Sequence, residues 1–228
     1  MHQAWPLELH NISYRLSDTH IWFYNQRGNI MNKWKIIAAS SFVFAMSNAM
    51  ALTNPAYVFQ FTPQTGALGG EVQVYQQGSN NYSNVNQDSA ILSKTSVSQS
   101  GGFLGGSNNS ATVNQNGNIS LVDINQSGNG HSATSSQNGD WSVTEISQSG
   151  LVGNSATTSQ NGDFSKTAVS QSGLGLNNAV TTQNGDAAVI VVRQNGASNY
   201  ANSSQNANFS YSNVNQIGLG NVSFVSQN

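Results

Sequence analysis

The stretch Ser142–Gln160, SVTEISQSGLVGNSATTSQ, decides the fold because the sequence on either side of it repeats it. Its skeleton is a Ser, a Gln six residues later and a Gly two residues after that, followed by an Asn, an Ala and a closing Gln. The same unit recurs to the C-terminus with nearly constant spacing. A repeat of about 22 residues is typical of a solenoid or a repeat array.

The Gln residues define the period of the repeat. Successive first Gln residues, such as Gln126, Gln148 and Gln171, follow one another at nearly equal intervals, and so do the closing Gln residues. The repeat region is predicted to span residues 70–228. Its seven units lie near 70–87, 93–115, 120–137, 142–160, 165–183, 188–205 and 210–227.

Each unit contains two short segments with a period of two. Alternate residues of Ser165–Gln171 are Ser, Thr, Val and Gln, and those of Asn177–Gln183 are Asn, Ala, Thr and Gln. This alternation with β-branched residues predicts two strands. An Asn-Gly pair such as Asn161-Gly162 separates successive units and predicts a tight turn with a positive φ.

A single unit is too thin to bury a core, so the units must stack. Stacking in register at about 4.8 Å places all first strands in one parallel sheet and all second strands in another. From Gln64 onward the chain has no proline, as buried strand ladders require. The predicted fold is therefore all-β: a β-solenoid of strand-turn-strand repeats that form two parallel sheets, an amyloid-like cross-β arrangement.

Inward-facing Gln and Asn side chains are expected to stack on their equivalents in adjacent layers. Each amide can donate to the carbonyl oxygen of the next, so a buried polar column is satisfied. Glu or Lys at these positions would be costly to bury. The predicted ladder and assembly residues are Gln76, Gln87, Gln99, Asn109, Gln115, Gln126, Gln137, Gln148, Asn154, Gln160, Gln171, Asn177, Gln183, Gln194, Asn199, Gln205, Gln216, Asn221 and Gln227.

The composition agrees with ordered β structure. Charged residues make up 7% of the chain, against about 25% in ordinary globular proteins. A Gln/Asn-rich bias is typical of segments that are disordered or prone to β-aggregation, but disorder usually accompanies high charge. The absence of Cys excludes disulfides and thiolate metal sites. No cofactor and no nucleic-acid partner are expected.

The first 51 residues differ from the repeats. Residues 31–51 read as a secretory signal peptide, with a short basic start and an apolar segment, Ile36–Met46, too short to span a bilayer. Ala49 and Ala51 form the small-x-small pattern that predicts cleavage after Ala51. Residues 1–30 are interpreted as an over-extended gene start because a signal peptide begins at residue 31.

A leader is predicted between the signal peptide and the repeats, at residues 52–69. It contains Pro55 and Pro63. Because proline obstructs regular strand pairing, sheet structure is not expected to run through this segment.

Three acidic residues follow the Asn-Gly turns at equivalent positions: Asp140, Asp163 and Asp186. They are predicted to be turn residues that act as gatekeepers, because like charges stacked in register slow aggregation. A calcium-binding ladder is the less favoured alternative, since the Gly-Gly-x-Gly-x-Asp turn of calcium rolls is missing. Only one His, His131, lies in the repeats, and no Ser/His/Asp constellation surrounds it. Neither catalytic nor metal-binding residues are predicted, and the chain is not expected to be an enzyme.

The repeat resembles a known family motif. The pattern Ser-x5-Gln-x-Gly-x-Gly-Asn-x-Ala-x3-Gln is similar to the curlin repeat of bacterial curli subunits. Ser120–Gln137 fits it with one change, His131 in place of Asn, while Ser142–Gln160 and Ser165–Gln183 have a slightly longer turn. The resemblance covers the whole repeat region, and Gly70–Gln87 is the most degenerate unit.

This resemblance implies a function. Curli subunits are secreted structural proteins of Gram-negative bacteria that form extracellular, cell-surface fimbriae, functional amyloid fibres that serve adhesion and the biofilm matrix. It further implies three partners: other copies of the chain, a paralogous subunit as nucleator or polymer, and the outer-membrane curli secretion machinery. A major-type subunit is slightly favoured, because the last unit retains Ser210, Gln216, Asn221 and Gln227.

Two other functions are compatible with a β-solenoid. An ice-binding solenoid requires a flat, regular array of outward-facing Thr, whereas first-strand positions such as Asp123, Glu145 and Arg193 are irregular. A polysaccharide-binding or polysaccharide-cleaving β-helix requires longer coils and clustered acids. Neither alternative predicts the recurring inward Gln.

Overall fold

The computed structural model describes residues 70–78, 80–87, 91–101 and 108–228, and it also places the backbone of two strands, at 43–46 and 57–61. The predicted gene start, the cleavage-site residues Ala49 and Ala51 and the rest of the leader lie outside the described residues. Within the described part, no helix is long and apolar enough to cross a membrane.

Sixteen strands are found in the described residues, and they alternate between two sheets. They are β1 (Val43–Met46), β2 (Tyr57–Phe61), β3 (Glu71–Gln77), β4 (Tyr82–Gln87), β5 (Lys94–Ser100), β6 (Ser110–Gln115), β7 (Leu121–Gly128), β8 (Ser132–Gln137), β9 (Val143–Gly150), β10 (Ser155–Gln160), β11 (Lys166–Gly175), β12 (Asn178–Gln183), β13 (Val189–Ala197), β14 (Tyr200–Gln205), β15 (Tyr211–Leu219) and β16 (Val222–Gln227).

The odd-numbered strands form the first sheet in the order β1 to β15, and the even-numbered strands form the second in the order β2 to β16. Every pairing is parallel, and equivalent repeat residues face each other, as in Gln126↔Gln148 and Gln137↔Gln160. The predicted fold class is confirmed. The seven predicted units correspond to the seven strand pairs from β3 to β16.

An eighth strand pair precedes the repeats. β1 lies inside the predicted signal peptide and pairs with β3, while β2 lies inside the predicted leader and pairs with β4. β2 ends before Pro63 and begins after Pro55, so neither proline interrupts it. The prolines therefore limit the length of this strand but do not prevent its pairing.

The core between the sheets is thin and half polar. Each layer from β3 to β16 contributes between one and four buried apolar side chains, such as Ile124 on the first sheet and Val113 on the second, and both of these are fully buried. Buried Gln, Asn, Ser and Thr side chains occupy the remaining inward positions. Because no layer encloses its own core, burial depends on the layers above and below it.

The turns between units differ from the prediction. Neither residue of the Asn-Gly pairs has a positive φ; the left-handed residue lies two positions after the Gly, for example Trp141 (φ 56°) and Phe164 (φ 55°). The Gly is needed for close approach instead. A Cβ on Gly139 would lie 2.1 Å from the carbonyl oxygen of Gly162 in the next layer. Stacking determines which turn residue is left-handed, because the Trp141 backbone N–H donates to the Asn118 carbonyl oxygen of the preceding layer, 2.9 Å away.

The left-handed residues form an apolar row along one edge of the solenoid, exposed except at the half-buried Ala187. Leu92, Ile119, Trp141, Phe164, Ala187 and Phe209 occupy equivalent turns, all with φ between 51° and 56°. The Trp141 and Phe164 rings are stacked, with centroids 6.2 Å apart. Left-handed conformations cost a non-Gly residue roughly 1–2 kcal/mol, so the row is maintained at the expense of stability.

Candidate functional site

The first-strand Gln residues form a continuous buried column. Each Nε2 donates to the Oε1 of the Gln in the next layer toward the C-terminus, over distances of 2.6 to 2.8 Å. The column contains Gln76, Gln99, Gln126, Gln148, Gln171, Gln194 and Gln216, all buried. The second N–H of the amide crosses to the other sheet, as where Gln148 donates to the Ser132 carbonyl over 3.0 Å. Each internal Gln therefore links adjacent layers and both sheets.

The closing Gln residues form a second column with the same direction. Nε2 donates to Oε1 of the next layer over 2.7 to 3.4 Å. Its members are Gln87, Gln115, Gln137, Gln160, Gln183, Gln205 and Gln227. Hydroxyl groups from the first sheet add to it; the Thr144 hydroxyl donates to Gln160 Oε1 over 2.9 Å. The structure thus places all fourteen predicted Gln residues in two ladders.

The predicted Asn residues form a third column at the opposite turn. The backbone N–H of each column residue donates to Oδ1 of the Asn in the layer before it. This distance is 3.0 to 3.1 Å for the donors Asn177, Asn199 and Asn221. The column also contains Asn109 and Asn154, together with two residues absent from the predicted set, Asn81 and His131. Both lie six residues before a closing Gln, and this constant offset could have identified them.

His131 replaces the amide without interrupting the column. It is fully buried. Its backbone N–H donates to Asn109 Oδ1 over 3.0 Å, and its ring Nδ1 accepts a hydrogen bond from the Asn154 backbone N–H over 3.1 Å. Its Nε2 lies 3.1 Å from the Ser127 carbonyl oxygen. These contacts fit the neutral tautomer protonated at Nε2. Burial lowers the pKa of His131, although hydrogen bonds to backbone carbonyls partly oppose this shift.

The three predicted turn acids are held in a column at the unit boundary. The Asp163 carboxylate accepts the Asp140 N–H over 2.8 Å, and the Asp186 carboxylate accepts the Asp163 N–H over 2.9 Å. Asn118 and Asn208 occupy the same place in the neighbouring layers. The acids therefore accept hydrogen bonds from the backbone of the preceding turn, and their negative charges are aligned from layer to layer. Among the described residues, no group of three or more His, Asp or Glu is placed to hold a metal ion.

Two further columns at this boundary were not predicted as ladders. The exposed turn Asn residues donate Nδ2–H to Oδ1 of the next layer, over 2.8 to 2.9 Å, from Asn116 through Asn228. The Ser that opens a unit donates to the Gly carbonyl of the next layer, as in Ser142 to Gly162 over 2.9 Å. In the last layer, Ser210 instead donates to Ala207 of its own turn over 2.7 Å.

The ends of the Gln ladders are unsatisfied in complementary ways. At the C-terminal end, Gln216 Nε2 donates to the Tyr200 carbonyl and Gln227 Nε2 to the Tyr211 carbonyl, and each amide keeps one N–H without a partner. At the N-terminal end, Gln76 Oε1 is buried and accepts no hydrogen bond. One end of the repeat region therefore carries spare donors, and the other carries an orphaned buried acceptor.

The C-terminal end is also apolar. Ile217, Leu219 and Phe224 of the last layer are each more than 70% exposed. β15 and β16 are terminal strands of their sheets, so each has one edge without a partner strand. Unpaired edges of this kind are templates for pairing with another chain.

No protein-family model, curated protein or solved structure matches this chain in the comparisons. Its function is therefore inferred from the geometry described above and from the repeat motif of the sequence.

Proposed function

We propose that this chain is a structural subunit that self-assembles into an extracellular amyloid-type fibre. The observation that carries the proposal is the complementarity of the ladder ends. Spare N–H donors on Gln216 and Gln227 lie at one end, and the orphaned acceptor of Gln76 lies at the other. A buried acceptor without a partner costs about 1–3 kcal/mol, which docking of a second copy removes.

Head-to-tail docking repeats the internal arrangement. With β15 of one copy beside β3 of the next, Gln216 donates to Gln76 in the same direction as every other pair in the column. β1 and β2 occupy that edge in the structure, so they must leave it first. Cleavage after Ala51 removes β1, whereas β2 has to detach from β4.

The joint between copies differs from the internal joints at one turn. Ala207 occupies the position where four earlier turns have Gly, and a Cβ at those Gly residues would lie 2.0–2.1 Å from the next carbonyl oxygen. The next copy must therefore present a different turn. Each of these turns stacks on the turn that leads into the following first strand, so in the joint Ala207 would face the segment that leads into β3 of the next copy, and residues 62–70 contain no Asn-Gly pair.

Polymerisation of residues 52–228 tests the proposal. We expect thioflavin fluorescence to rise with time. Fibre diffraction should give one reflection at about 4.8 Å and another at about 10 Å, the spacings of strands and of sheets. A chain that stays monomeric for days at micromolar concentration, without a cross-β signal, would refute it.

A matched pair of variants tests the role of the ladder ends. Gln216→Leu removes the spare donor from the C-terminal edge, and Asn215→Leu makes the same change on the outer face of the same strand. We expect only Gln216→Leu to slow seeded elongation, by about tenfold for a loss near 1.4 kcal/mol. Equal elongation rates for the two variants would exclude the ladder end as the docking group.

The resemblance to curlin repeats extends the proposal to the cellular role. The subunit is proposed to be a major-type curli subunit, exported through an outer-membrane secretion pore, nucleated by a paralogous subunit and active in adhesion and biofilm formation. Export predicts that the extracellular chain begins at Leu52. N-terminal sequencing of fibres from expressing cells checks this, and a chain that retains residues 31–51 would contradict it.

One observation favours a second candidate, an ice-binding protein. Thr112, Thr134 and Thr157 lie side by side in register on the outer face of the second sheet, a regularity absent from the first sheet. Val180 and Phe224 interrupt the column in later layers. Thermal hysteresis of the soluble chain tests this function; a freezing point equal to the melting point rules it out.

A further inference from the structure

The two outer faces of the solenoid differ in charge. On the first sheet, each strand from β3 to β13 carries one outward charged residue, and these are Glu71, Lys94, Asp123, Glu145, Lys166 and Arg193. On the second sheet, none of the outward positions from β4 to β16 is charged. Charged residues on exposed strands are the usual protection against association between sheets. The second sheet lacks this protection.

The uncharged face is also flat in its centre. Its outward side chains from β6 to β10 are Ser, Thr and Asn, aligned in register from layer to layer. Larger side chains stand at both ends of the face: Tyr82 on β4, Tyr200 on β14 and Phe224 on β16. The Tyr200 and Phe224 rings are in contact, with centroids 5.6 Å apart. A row of copies would therefore present alternating flat and raised zones.

We propose that the outer face of the second sheet is a lateral contact surface whose partner is the same face of a second copy of this chain. The proposal rests on the proposed function, because it concerns how fibres pair side by side. Small uncharged side chains let two sheets approach closely and interdigitate without trapped charge. A stagger of half a subunit places the raised Tyr200–Phe224 zone of one fibre over the flat zone of the other. The first sheet cannot pack in this way, because each of six strands would bring a charge into the contact.

The size of the face explains why fibres should pair more readily than single chains. Seven strands about 4.8 Å apart, each about 20 Å long, give a face of roughly 600 Å² per copy. Stable protein interfaces bury about 800 Å² per partner, so one copy falls short. In a fibre the contact recurs with every subunit, and the repeated contacts act together.

A lysine on each outer face provides the test. Thr157→Lys places an ammonium group at the centre of the second-sheet face, and Ser147→Lys places the same group on the first sheet; both native side chains are exposed strand residues. Each variant makes the formal net charge of −2 less negative, so a general charge effect would increase pairing in both. We expect Thr157→Lys to lower the fraction of laterally paired fibres in electron micrographs about tenfold or more. Ser147→Lys should pair as the wild type does, and elongation rates should stay within about twofold for both.

Each outcome separates the two proposals. If Thr157→Lys fibres pair as often as wild-type fibres, or if both variants lose pairing equally, the contact surface is wrong although fibre formation stands. If the wild type forms no fibres, the proposed function fails and the surface is tested by sedimentation of the soluble chain at high concentration. At millimolar concentration, where even a weak contact is populated, dimers that Thr157→Lys alone abolishes would support the surface, and a wild type that stays monomeric there would overturn it.

Discussion

Substitution of one turn glycine should destabilise the whole stack. Gly162 lies in the middle of the solenoid, and a Cβ at this position would lie 2.1 Å from the Gly185 carbonyl oxygen and 2.6 Å from its carbon. Ordinary contacts between heavy atoms are about 3.5 Å. Gly162→Ala therefore forces the two layers apart at this edge by about 1 Å or more.

Three hydrogen bonds cross this edge and oppose the separation. Asn161 N–H donates to the Gln183 carbonyl over 2.8 Å, the Asn161 side chain donates to Asn184 over 2.8 Å, and the Ser165 hydroxyl donates to Gly185 over 3.0 Å. At about 0.5–1.5 kcal/mol each, their loss should lower the free energy of unfolding by roughly 2–4 kcal/mol.

Urea denaturation followed by circular dichroism, at a concentration below that of fibre formation, measures this change. Ala207→Gly is the matched control, since position 207 is equivalent but no further turn of the described chain stacks on it. The control should change the free energy of unfolding by about 1 kcal/mol or less. The reasoning fails if Gly162→Ala unfolds at the wild-type urea concentration, or if the two variants shift the midpoint equally.

Three further predictions concern the columns and the turn strain. Burial lowers the pKa of His131 below 6.5, so the unfolded chain takes up a proton that the folded chain excludes; the free energy of unfolding should fall as the pH drops below about 6.5, and less so in His131→Asn. Identical pH profiles from urea melts would contradict this. Gln148→Leu leaves its two column neighbours without partners and should cost about 2–4 kcal/mol, whereas Ser147→Ala on the same strand should cost under about 0.5 kcal/mol; equal costs in urea melts would show that the ladder adds nothing. Ala187→Gly relieves the left-handed strain of an apolar turn residue and should raise the free energy of unfolding by about 0.5–1 kcal/mol, so a lowered midpoint would show that φ carries no strain there.

The layer register was predictable because one residue type marks it. Gln99 and Gln126 are farther apart in the sequence than any other two consecutive first Gln residues, yet they pair directly on β5 and β7. The extra residues lie between the strands, where they do not shift the alternation of inward and outward side chains. Because a Gln recurs at the same position of every repeat strand, the strand register could be predicted although the loops vary in length.

The turns were less predictable, because stacking overrides the local rule. An Asn-Gly pair normally supplies the positive φ of an isolated hairpin. Here the backbone of each turn must form hydrogen bonds with the turns of neighbouring layers. The positive φ is therefore found at positions such as Trp141 and Phe164 and not in the Asn-Gly pair. The motif placed His131 at an Asn position, but it was not predicted to be a ladder residue, because a ring in an amide column conflicts with the residue type.

The direction of the Gln columns has an electrical consequence. Backbone dipoles nearly cancel in a sheet, but the side-chain amides of both Gln columns and of the outer Asn column from Asn116 to Asn228 all donate toward the C-terminal end. Their dipoles add along the axis, as peptide dipoles do in a helix, and they outnumber the amides of the inner Asn column that donate toward the N-terminal end. The C-terminal end of the stack, which exposes the donors, carries the partial positive charge and should attract anions. A fibre built from such stacks has an electrostatic polarity along its length, so its two ends differ in how they respond to salt.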